Sequence, residues 1–565
     1  MLSLVGAICL SLLAAVGDSM VLTAKLDYGT FRGAYDPTYN ITYWQKIPYA
    51  APPIGRNRFR APQPPLPITT GVYDSTQPFD MCPQRTVNGS EDCLYLGLYG
   101  RPWAAGAPLR PVVVTFHGGG FIQGSASFAV PPSAYPILNV SAAVVDVVFV
   151  YPNYRLNAFG FLPGREVARD GESDANAGLL DQAAALRWAQ RHARHFGGDP
   201  ARVTVWGQSA GGGSVIAQTI ADHGAAEENW NGNGNGDGDG DGNGKGKGKG
   251  EERGRLPFTR ALASSPFWPK TYRVDSPEAQ ARYDALAALT GCGGGGGGGG
   301  PGSLACLKRV DAQRIRNASL AVVDAHKYDT ATFGWGPVID GTFLRAPLSS
   351  ASSAARGGLA TAYAMYNTHE GESFAPPGLK NEIDSGAPPF NASAASFSRW
   401  LEGFLPGLVR TDLRRLEALY PATGGDGKDG SGGSQFERAG LIYRDATLAC
   451  PGLWMAGSAR DGGWIGEYTI APALHASDVY WWNTVNAAQK ADPLHYKGYA
   501  GALASFFMTG DPNTLKLTAD DVPGLPELKT RRQWIVDGAG FATAELTPLR
   551  ERCAFWRDVA SDVPI

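Results

Sequence analysis

The chain has 565 residues, 43% of them hydrophobic, and a formal net charge of -3. This length and composition are sufficient for one large α/β enzyme or several smaller domains with a substantial core. Because the chain carries no basic excess, neither nucleic-acid binding nor charge-driven attachment to a membrane has electrostatic support.

The first residues are typical of a secretory signal peptide. Residues 1–17 contain the apolar run Leu2–Val16 and end in small residues, the pattern of a leader that is cleaved during export. The mature protein is then expected to comprise residues 18–565. No later stretch reaches about 18 apolar residues, so the sequence predicts no membrane span.

Cysteines and glycosylation motifs agree with export. Removal of the leader with Cys9 leaves six of the seven cysteines, an even number suited to an oxidising compartment. Free buried thiols are the alternative, but the spacing suggests pairs: Cys82 with Cys93, Cys292 with Cys306, and the remaining Cys450 with Cys553. Sequons that would mark solvent-facing loops stand at Asn40, Asn88, Asn139, Asn317 and Asn391.

In chain order, strand and helix patterns alternate. Residues 27–67 are rich in Gly, Pro and aromatics, which favours short strands and turns, and residues 94–99 form an alternating strand. Residues 111–116 and 144–151 are predominantly apolar runs, typical of parallel strands covered on both faces. Helical periodicity over residues 179–193 ends at Gly197-Gly198. This alternation predicts an α/β fold.

Low-complexity stretches interrupt the second half of the chain, at 229–254, 293–300 and 424–434. None can bury enough apolar area to offset its ordering entropy, so each is predicted to be a surface insertion within one domain. Alternating Asp and Gly in the first stretch raises the question of a calcium site. The ligand spacing and the bidentate Glu of a calcium loop are missing, so no metal is expected there.

A Gly-x-Ser-x-Gly motif follows the apolar residues Val203–Trp206. The motif is Gly207-Gln208-Ser209-Ala210-Gly211. A serine at a sharp strand-to-helix turn needs strained backbone angles, and the flanking glycines let the strand and helix pass closely. With 74 glycines in the chain, a bare match could be a flexible loop. The preceding strand and following helix favour a nucleophile elbow.

These motifs resemble those of the type-B carboxylesterase/lipase family, the α/β-hydrolases that include cholinesterases and fungal esterases. The resemblance runs from about Asp27 to the C-terminus and implies a mostly parallel central sheet with helices on both faces. The matching segments, in family order, are Glu91–Leu96, His117–Phe121, Asn153–Arg155, Asn176–Gln182, Phe196–Pro200, Gly207–Gly212 and Thr509–Asn513.

The chemistry expected of Ser209 requires a base and a carboxylate. Serine is a weak nucleophile unless a histidine accepts its proton, and a carboxylate must hold that histidine in the correct tautomer. His475, in Leu474–Asp478, resembles the family's catalytic-histidine loop, and is preferred to His326, His369 and His495. Glu370 follows a predicted strand at 363–366 and resembles the family's acid, with Glu372 as its rival.

An ester also needs amide donors for the tetrahedral oxyanion. By resemblance, Gly119 and Gly120 supply two of these donors and Ala210 supplies the third, whereas His117 is expected to be structural. The glycine run has no Walker lysine and is not a dinucleotide fingerprint. The expected reaction is acyl transfer to Ser209 from a small-molecule ester, followed by hydrolysis, and it needs no metal or organic cofactor.

One predicted ion pair lies near the site, and two further features distinguish this chain from relatives. Glu91 and Arg155 resemble a structural ion pair. Gln208 stands where many relatives carry Glu, which predicts a weaker field for cationic substrates. The loop enclosed by Cys82 and Cys93 is short and lacks aromatics, which predicts small or soluble esters, no lid and no choline selectivity.

Other functions remain open at this point. One is a lipase or sterol esterase of the same fold, and another is a non-catalytic adhesion or scaffold protein. Retention of Ser209, Glu370, His475 and the glycine run argues against the second. Pocket lining and core packing explain the following aromatic residues about equally well: Phe267, Trp268, Trp335 and Trp464. The sequence carries no signal for an oligomeric state.

Overall fold

A computed structural model describes residues 20–224, 256–294, 299–325, 334–351, 358–386, 388–421 and 434–564. The predicted leader, the insertion at 229–254, residues 295–298 and residues 424–433 lie outside these ranges. The division into one domain therefore remains a prediction.

A large mixed sheet organises the described residues. Its eleven strands lie in the order β14-β13-β12-β11-β10-β9-β7-β8-β6-β4-β3, and neighbours from β8 to β13 in that order are parallel. The remaining neighbours at both edges pair antiparallel. A smaller sheet joins β1, β2 and β5. The strands are β1 Thr23–Leu26, β2 Gly29–Arg32, β3 Ala34–Asp36, β4 Ile41–Pro48, β5 Tyr73–Asp74, β6 Tyr95–Gly100, β7 Arg110–Phe116, β8 Val148–Pro152, β9 Gly198–Gln208, β10 Arg260–Ser264, β11 Thr361–Asn367, β12 Gly462–Tyr468, β13 Arg532–Asp537 and β14 Gly540–Glu545.

Helices cover the sheet and its connections. The α-helices of the described ranges are Tyr135–Asn139, Asn157–Phe161, Arg165–Arg169, Ala177–His192, Ala210–Ile220, Pro277–Thr290, Ser303–Leu307, Ala312–Ala325, Leu348–Ala351, Ala394–Phe404, Arg410–Leu419, Gln435–Arg444, Cys450–Gly457, Ala487–Ala491, Pro493–Thr509 and Thr547–Asp558. Short 3-10 helices are Gly55–Asn57, Ala193–Phe196, Glu370–Ser373, Pro377–Lys380, Ser477–Trp481 and Leu528–Thr530, and Asp445–Ala449 is π-helical. None of the helices described is both long and apolar enough to cross a bilayer.

Burial explains why the central strands read as continuous apolar runs. Val112 and Val114 of β7 belong to one hydrophobic cluster, whereas Val113 between them belongs to a second cluster. Side chains of a strand alternate between faces, so both faces of the sheet are packed. Helices Ala177–His192 and Ala210–Ile220 contribute to the first cluster, and Pro493–Thr509 contributes to the second.

Most predicted elements agree with the structure. Strands are present at residues 111–116, 203–206 and 363–366, and the helix predicted near 179–193 spans Ala177–His192. Two expectations were wrong in detail. Strand β8 begins at Val148 rather than at 144. Strand β6 is buried at every residue after Tyr95 instead of alternating, because Leu96 and Leu98 pack in the first hydrophobic cluster and Tyr99 packs in the second.

The covalent cross-links match the predicted pairs. Disulfides join Cys82 to Cys93, Cys292 to Cys306 and Cys450 to Cys553. Four of the predicted glycosylation sites, Asn40, Asn88, Asn139 and Asn317, are exposed, and Asn391 is half-buried. At Asn391 the side-chain amide donates to Asp384 at 2.7 Å.

Candidate active site

Ser209 stands at a sharp turn between β9 and helix Ala210–Ile220. Its backbone has φ 59° and ψ -126°, a region that non-glycine residues rarely occupy and that marks strain. A Cβ on Gly207 would lie 2.3 Å from the backbone of Gly211, and one on Gly211 would lie 2.1 Å from the carbonyl oxygen of Phe116. Both glycines of the motif are therefore required by close backbone contact.

The imidazole of His475 lies between Ser209 and Glu370. Its Nε2 is 2.8 Å from Ser209 Oγ, and its Nδ1 is 3.0 Å from Glu370 Oε2. Glu370 is fully buried at the start of the 3-10 helix that follows β11. The hydroxyl, imidazole and carboxylate thus form one hydrogen-bonded chain from segments far apart in sequence.

The loop that carries His475 is fixed by polar contacts that the sequence did not reveal. Asn367, the last residue of β11, donates to the carbonyl of Leu474 at 2.9 Å and to the carboxylate of Asp478 at 3.1 Å. Asp478 also accepts from the hydroxyl of Tyr499 at 2.8 Å. The only sequence signal was the position of Asp478 at the end of the histidine motif.

The glycine run follows β7 and passes close to Ser209. Gly119 and Gly120 have positive φ values of 108° and 64°, and among the described residues neither amide has a backbone partner. A Cβ on Gly118 would lie 3.0 Å from Cβ of Ser209. Ala210 is the first residue of its helix, where amides lack partners within the helix. These amides meet the chemical requirement for an oxyanion site.

His117 takes part in packing at the base of this run. Its ring stacks on Tyr154 with centroids 4.2 Å apart, and its Nδ1 donates to the carbonyl of Gly118 at 2.9 Å. Burial lowers the pKa of His117 from 6.5 to about 4, so the ring is neutral at physiological pH. This arrangement agrees with the structural role expected from the sequence.

The predicted ion pair between Glu91 and Arg155 is wrong. Arg58 holds Glu91 with two hydrogen bonds of 2.7 and 2.6 Å, and it also donates to the carbonyls of Leu307 and Val310. Arg155 instead pairs with the buried Asp181, at 2.8 and 2.7 Å. Arg58 and Arg155 each hold their own carboxylate through two parallel hydrogen bonds. Glu91 and Arg155 therefore have different partners.

The structure shows the contacts of Gln208 and of the aromatic residues considered for the pocket lining. The Nε2 atom of Gln208 is buried without a partner among the described residues. Phe267 adjoins the site, because its amide donates to the carbonyl of Ser209 at 2.8 Å. Trp335 donates to the carbonyl of Ser319 at 3.0 Å, and Trp464 packs near Phe506 in the second core cluster, so core packing accounts for these two.

An aromatic contact to the base was missed by the sequence analysis. Phe374 meets His475 edge-on, with ring centroids 5.0 Å apart, and stacks on Tyr443 at 4.9 Å. Phe374 lies four residues after Glu370 in the sequence, so its proximity could have been anticipated. The contact restricts how the imidazole can rotate.

No group of three or more potential metal-ligating side chains occurs within the ranges that the structure describes. The polar groups that meet near Ser209 are a hydroxyl, an imidazole and a carboxylate.

Comparison with known proteins points to carboxylesterases. Residues 19–228 match the carboxylesterase family profile. Carboxylesterase patB of Aspergillus clavatus is 29% identical over 490 residues, which cover 83% of this chain and 76% of the relative. Secreted lipase 4 of Gibberella zeae is 27% identical over 547 residues, covering 91% and 88% respectively.

The fold agrees with this assignment. The crystal structure of Aspergillus niger EstA superposes with a TM-score of 0.76 and 24% identity, covering 97% of this chain and all of that one. The expected α/β-hydrolase fold is therefore confirmed. On the sequence matches, the chain is similar to carboxylesterases, and the family match of residues 19–228 supports carboxylic ester hydrolase activity.

Proposed function

We propose that the protein is a secreted serine esterase that hydrolyses small carboxylic esters through an acyl-enzyme on Ser209. The observation that carries this proposal is the hydrogen-bonded chain from Ser209 Oγ through His475 to Glu370. A neutral serine needs such an arrangement to attack an acyl carbon.

In the proposed first step, His475 Nε2 accepts the proton of Ser209 as Oγ attacks the ester carbonyl. Glu370 holds Nδ1–H and stabilises the imidazolium that forms. The negative charge on the carbonyl oxygen is received by the amides of Gly119, Gly120 and Ala210. An amide that is already in position stabilises this charge without any reorganisation during the reaction. Deletion of one such donor typically slows catalysis by about 10²- to 10³-fold.

The alcohol then leaves with the proton from His475, and an acyl group remains on Ser209. Water enters, His475 accepts its proton, and a second tetrahedral intermediate collapses to release the acid. Every proton in this sequence passes through Nε2, which is why its 2.8 Å distance to Oγ matters most.

Small esters are favoured by the contacts of the disulfide loop Cys82–Cys93. Gln84 of this loop is 1% exposed and bonds to Gly124, so part of the loop is committed to the protein interior. A loop held in this way offers little apolar surface with which to cover a lipid. Relatives named secreted lipases make long-chain esters the second candidate substrate class.

Secretion is supported by the three disulfides and by relatives that are named secreted lipases. Disulfides form and persist mainly in oxidising compartments. N-terminal sequencing of the protein from culture medium would reveal the cleaved leader, whereas retention of Met1 inside the cell would contradict export.

The central test compares wild type with Ser209→Ala on p-nitrophenyl esters from acetate to palmitate. We expect the variant to lose turnover and organophosphate labelling, and the wild type to prefer short acyl chains. Unchanged turnover in Ser209→Ala would refute the mechanism. A preference for palmitate with activation at a lipid surface would instead establish the lipase assignment.

A further inference from the structure

The disulfide loop Cys82–Cys93 contacts the segment that presents the oxyanion amides. We call residues 117–124 the oxyanion loop. Gln84 reaches it with both ends of its side-chain amide: Nε2 donates to the carbonyl of Gly124 at 2.9 Å, and Oε1 accepts from the amide of Gly124 at 2.8 Å. Gln84 is 1% exposed, so these bonds are shielded from water.

Gly124 is packed tightly against the start of the oxyanion loop. Its φ is 114°, and a Cβ at this position would lie 2.3 Å from the carbonyl oxygen of Gly118 and 2.4 Å from Nδ1 of His117. The loop also folds on itself, because the amides of Ile122 and Gln123 both donate to the carbonyl of Gly119 at 3.1 Å. Holding Gly124 therefore restrains the whole loop.

The side chain of Gln84 has its remaining hydrogen-bonding capacity satisfied within its own loop. Nε2 also donates to the carbonyl of Cys82 at 3.1 Å, and Oε1 accepts from the hydroxyl of Thr86 at 3.0 Å. A primary amide has two donor hydrogens and two acceptor sites. All four are used, so the orientation of the Gln84 side-chain amide that binds Gly124 is fixed.

The backbone of the disulfide loop is anchored from outside. Arg316 of helix Ala312–Ala325 donates to the carbonyls of Gln84, Arg85 and Val87. On the inner side, Asn157 donates to the carbonyl of Pro83 at 3.1 Å and to that of Ile122 in the oxyanion loop at 3.0 Å. The loop thus connects a surface helix to the oxyanion loop.

We propose that Gln84 is a positioning residue that fixes the oxyanion loop with the amides of Gly119 and Gly120 directed toward Ser209. Glycine adopts positive and negative φ with similar ease, so consecutive glycine peptides need an external restraint to keep their amides in one direction. The inference rests on the proposed function, since it concerns the transition state of ester hydrolysis. The short disulfide loop then serves catalysis through its inner face.

The test compares Gln84→Ala and Gln84→Glu with Arg85→Ala. The control lies in the same loop, and its side chain pairs with the exposed Asp324. Each variant is titrated with an organophosphate to count reactive sites. kcat, KM and the Ki of a trifluoromethyl ketone are then measured, because this inhibitor forms a tetrahedral oxyanion on serine.

We expect Gln84→Ala to lower kcat by at least about 10-fold with little change in KM. The oxyanion amides stabilise the transition state more than the bound substrate, so displacing them slows the reaction without weakening substrate binding. The Ki of the trifluoromethyl ketone should rise by the same factor. Gln84→Glu keeps the acceptor for the Gly124 amide but turns a carboxylate oxygen, instead of a donor, toward the carbonyls of Cys82 and Gly124. A loss of kcat at least as large as that of Gln84→Ala is therefore expected, and this variant decides the question if Gln84→Ala fails to fold. Arg85→Ala should match wild type.

Two outcomes would overturn the inference. One is a Gln84 variant whose kcat per titrated site stays within about twofold of wild type. The other is a loss of kcat with an unchanged Ki, which would indicate a structural effect away from the oxyanion site. Failure of the proposed function itself would look different: wild type would not be labelled by the organophosphate, and Ser209→Ala would keep its activity.

Discussion

The carboxylate of Glu370 offers a quantitative test of the proposed reaction. Replacing it by Gln keeps the size of the side chain and removes the charge beside His475, whose Nδ1 lies 3.0 Å from Oε2. In the transition state the imidazole becomes positively charged, so the wild-type carboxylate stabilises that state more than the ground state. The amide cannot do so.

The size of the effect follows from the geometry. Two unit charges about 4 Å apart attract by about 4 kcal/mol at an effective dielectric of about 20, which corresponds to about 10³-fold in rate. The amide can also donate to Nδ1 and select the wrong tautomer, a change that brings the loss to about 10⁴-fold in serine hydrolases of this kind. We therefore expect kcat of Glu370→Gln to fall by between about 10³- and 10⁴-fold.

Initial rates on p-nitrophenyl butyrate, divided by the number of folded sites, would measure this loss. Glu372→Gln is the matched control, because Glu372 stands two residues away and pairs with the exposed His369 at 2.8 Å. We expect the control to stay within about threefold of wild type. Retention of activity within about tenfold in Glu370→Gln, or an equal loss in the control, would refute the assignment of the acid.

Other predictions concern the stability of the fold and the elbow. Gly207→Ala places a Cβ 2.3 Å from Gly211 and should lower both the free energy of unfolding, by about 1–3 kcal/mol, and organophosphate labelling; normal values of both would contradict the close-packing argument. Removal of the Cys450–Cys553 disulfide by alanine at both positions should lower the free energy of unfolding by up to about 4.7 kcal/mol, which urea titration would measure; equal midpoints would oppose it. Burial lowers the pKa of His223 from 6.5 to about 4, so between these values the unfolded chain binds more protons and stability should fall as pH decreases. His223→Gln should weaken that pH dependence. An unchanged slope of the free energy of unfolding against pH would show that His223 does not cause it.

The residues that meet at Ser209 could be found in the sequence because their signals are local. The Gly-x-Ser-x-Gly turn requires glycines at fixed positions, and the close contacts at Gly207 and Gly211 are the reason. His475 and Glu370 were assigned by resemblance of short motifs. Their approach to Ser209 depends on the parallel order of β9, β10, β11 and β12, because consecutive parallel strands end at one edge of the sheet.

Contacts between distant segments could not be predicted in the same way. The partner of Glu91 depends on where residue 58 enters the fold, and the sequence contains no signal for that position. Asn367 likewise gives no sign that it fixes the histidine loop. Side chains that link elements through single hydrogen bonds have no periodicity, so only the folded arrangement identifies their partners.

Boundary details also depended on neighbours. The apolar run at 144–151 suggested a longer strand, but only Val148–Pro152 pairs with β6 and β7. Val145 and Val147 are buried although they precede β8, so hydrophobicity extends the predicted strand beyond its paired residues, and Asp146 between them was the one contrary signal.

The position of Arg58 limits how the N-terminus can be trimmed for recombinant work. This one guanidinium joins Glu91 to the carbonyls of Leu307 and Val310, at and just beyond the end of helix Ser303–Leu307. A start site downstream of residue 58 would remove strands β1 to β4 and would also leave the Glu91 carboxylate in a nearly closed environment without its cation, and breaking such a pair typically costs about 3–5 kcal/mol. Shortened versions should therefore begin well before this arginine, even though it lies far from Ser209 in the sequence.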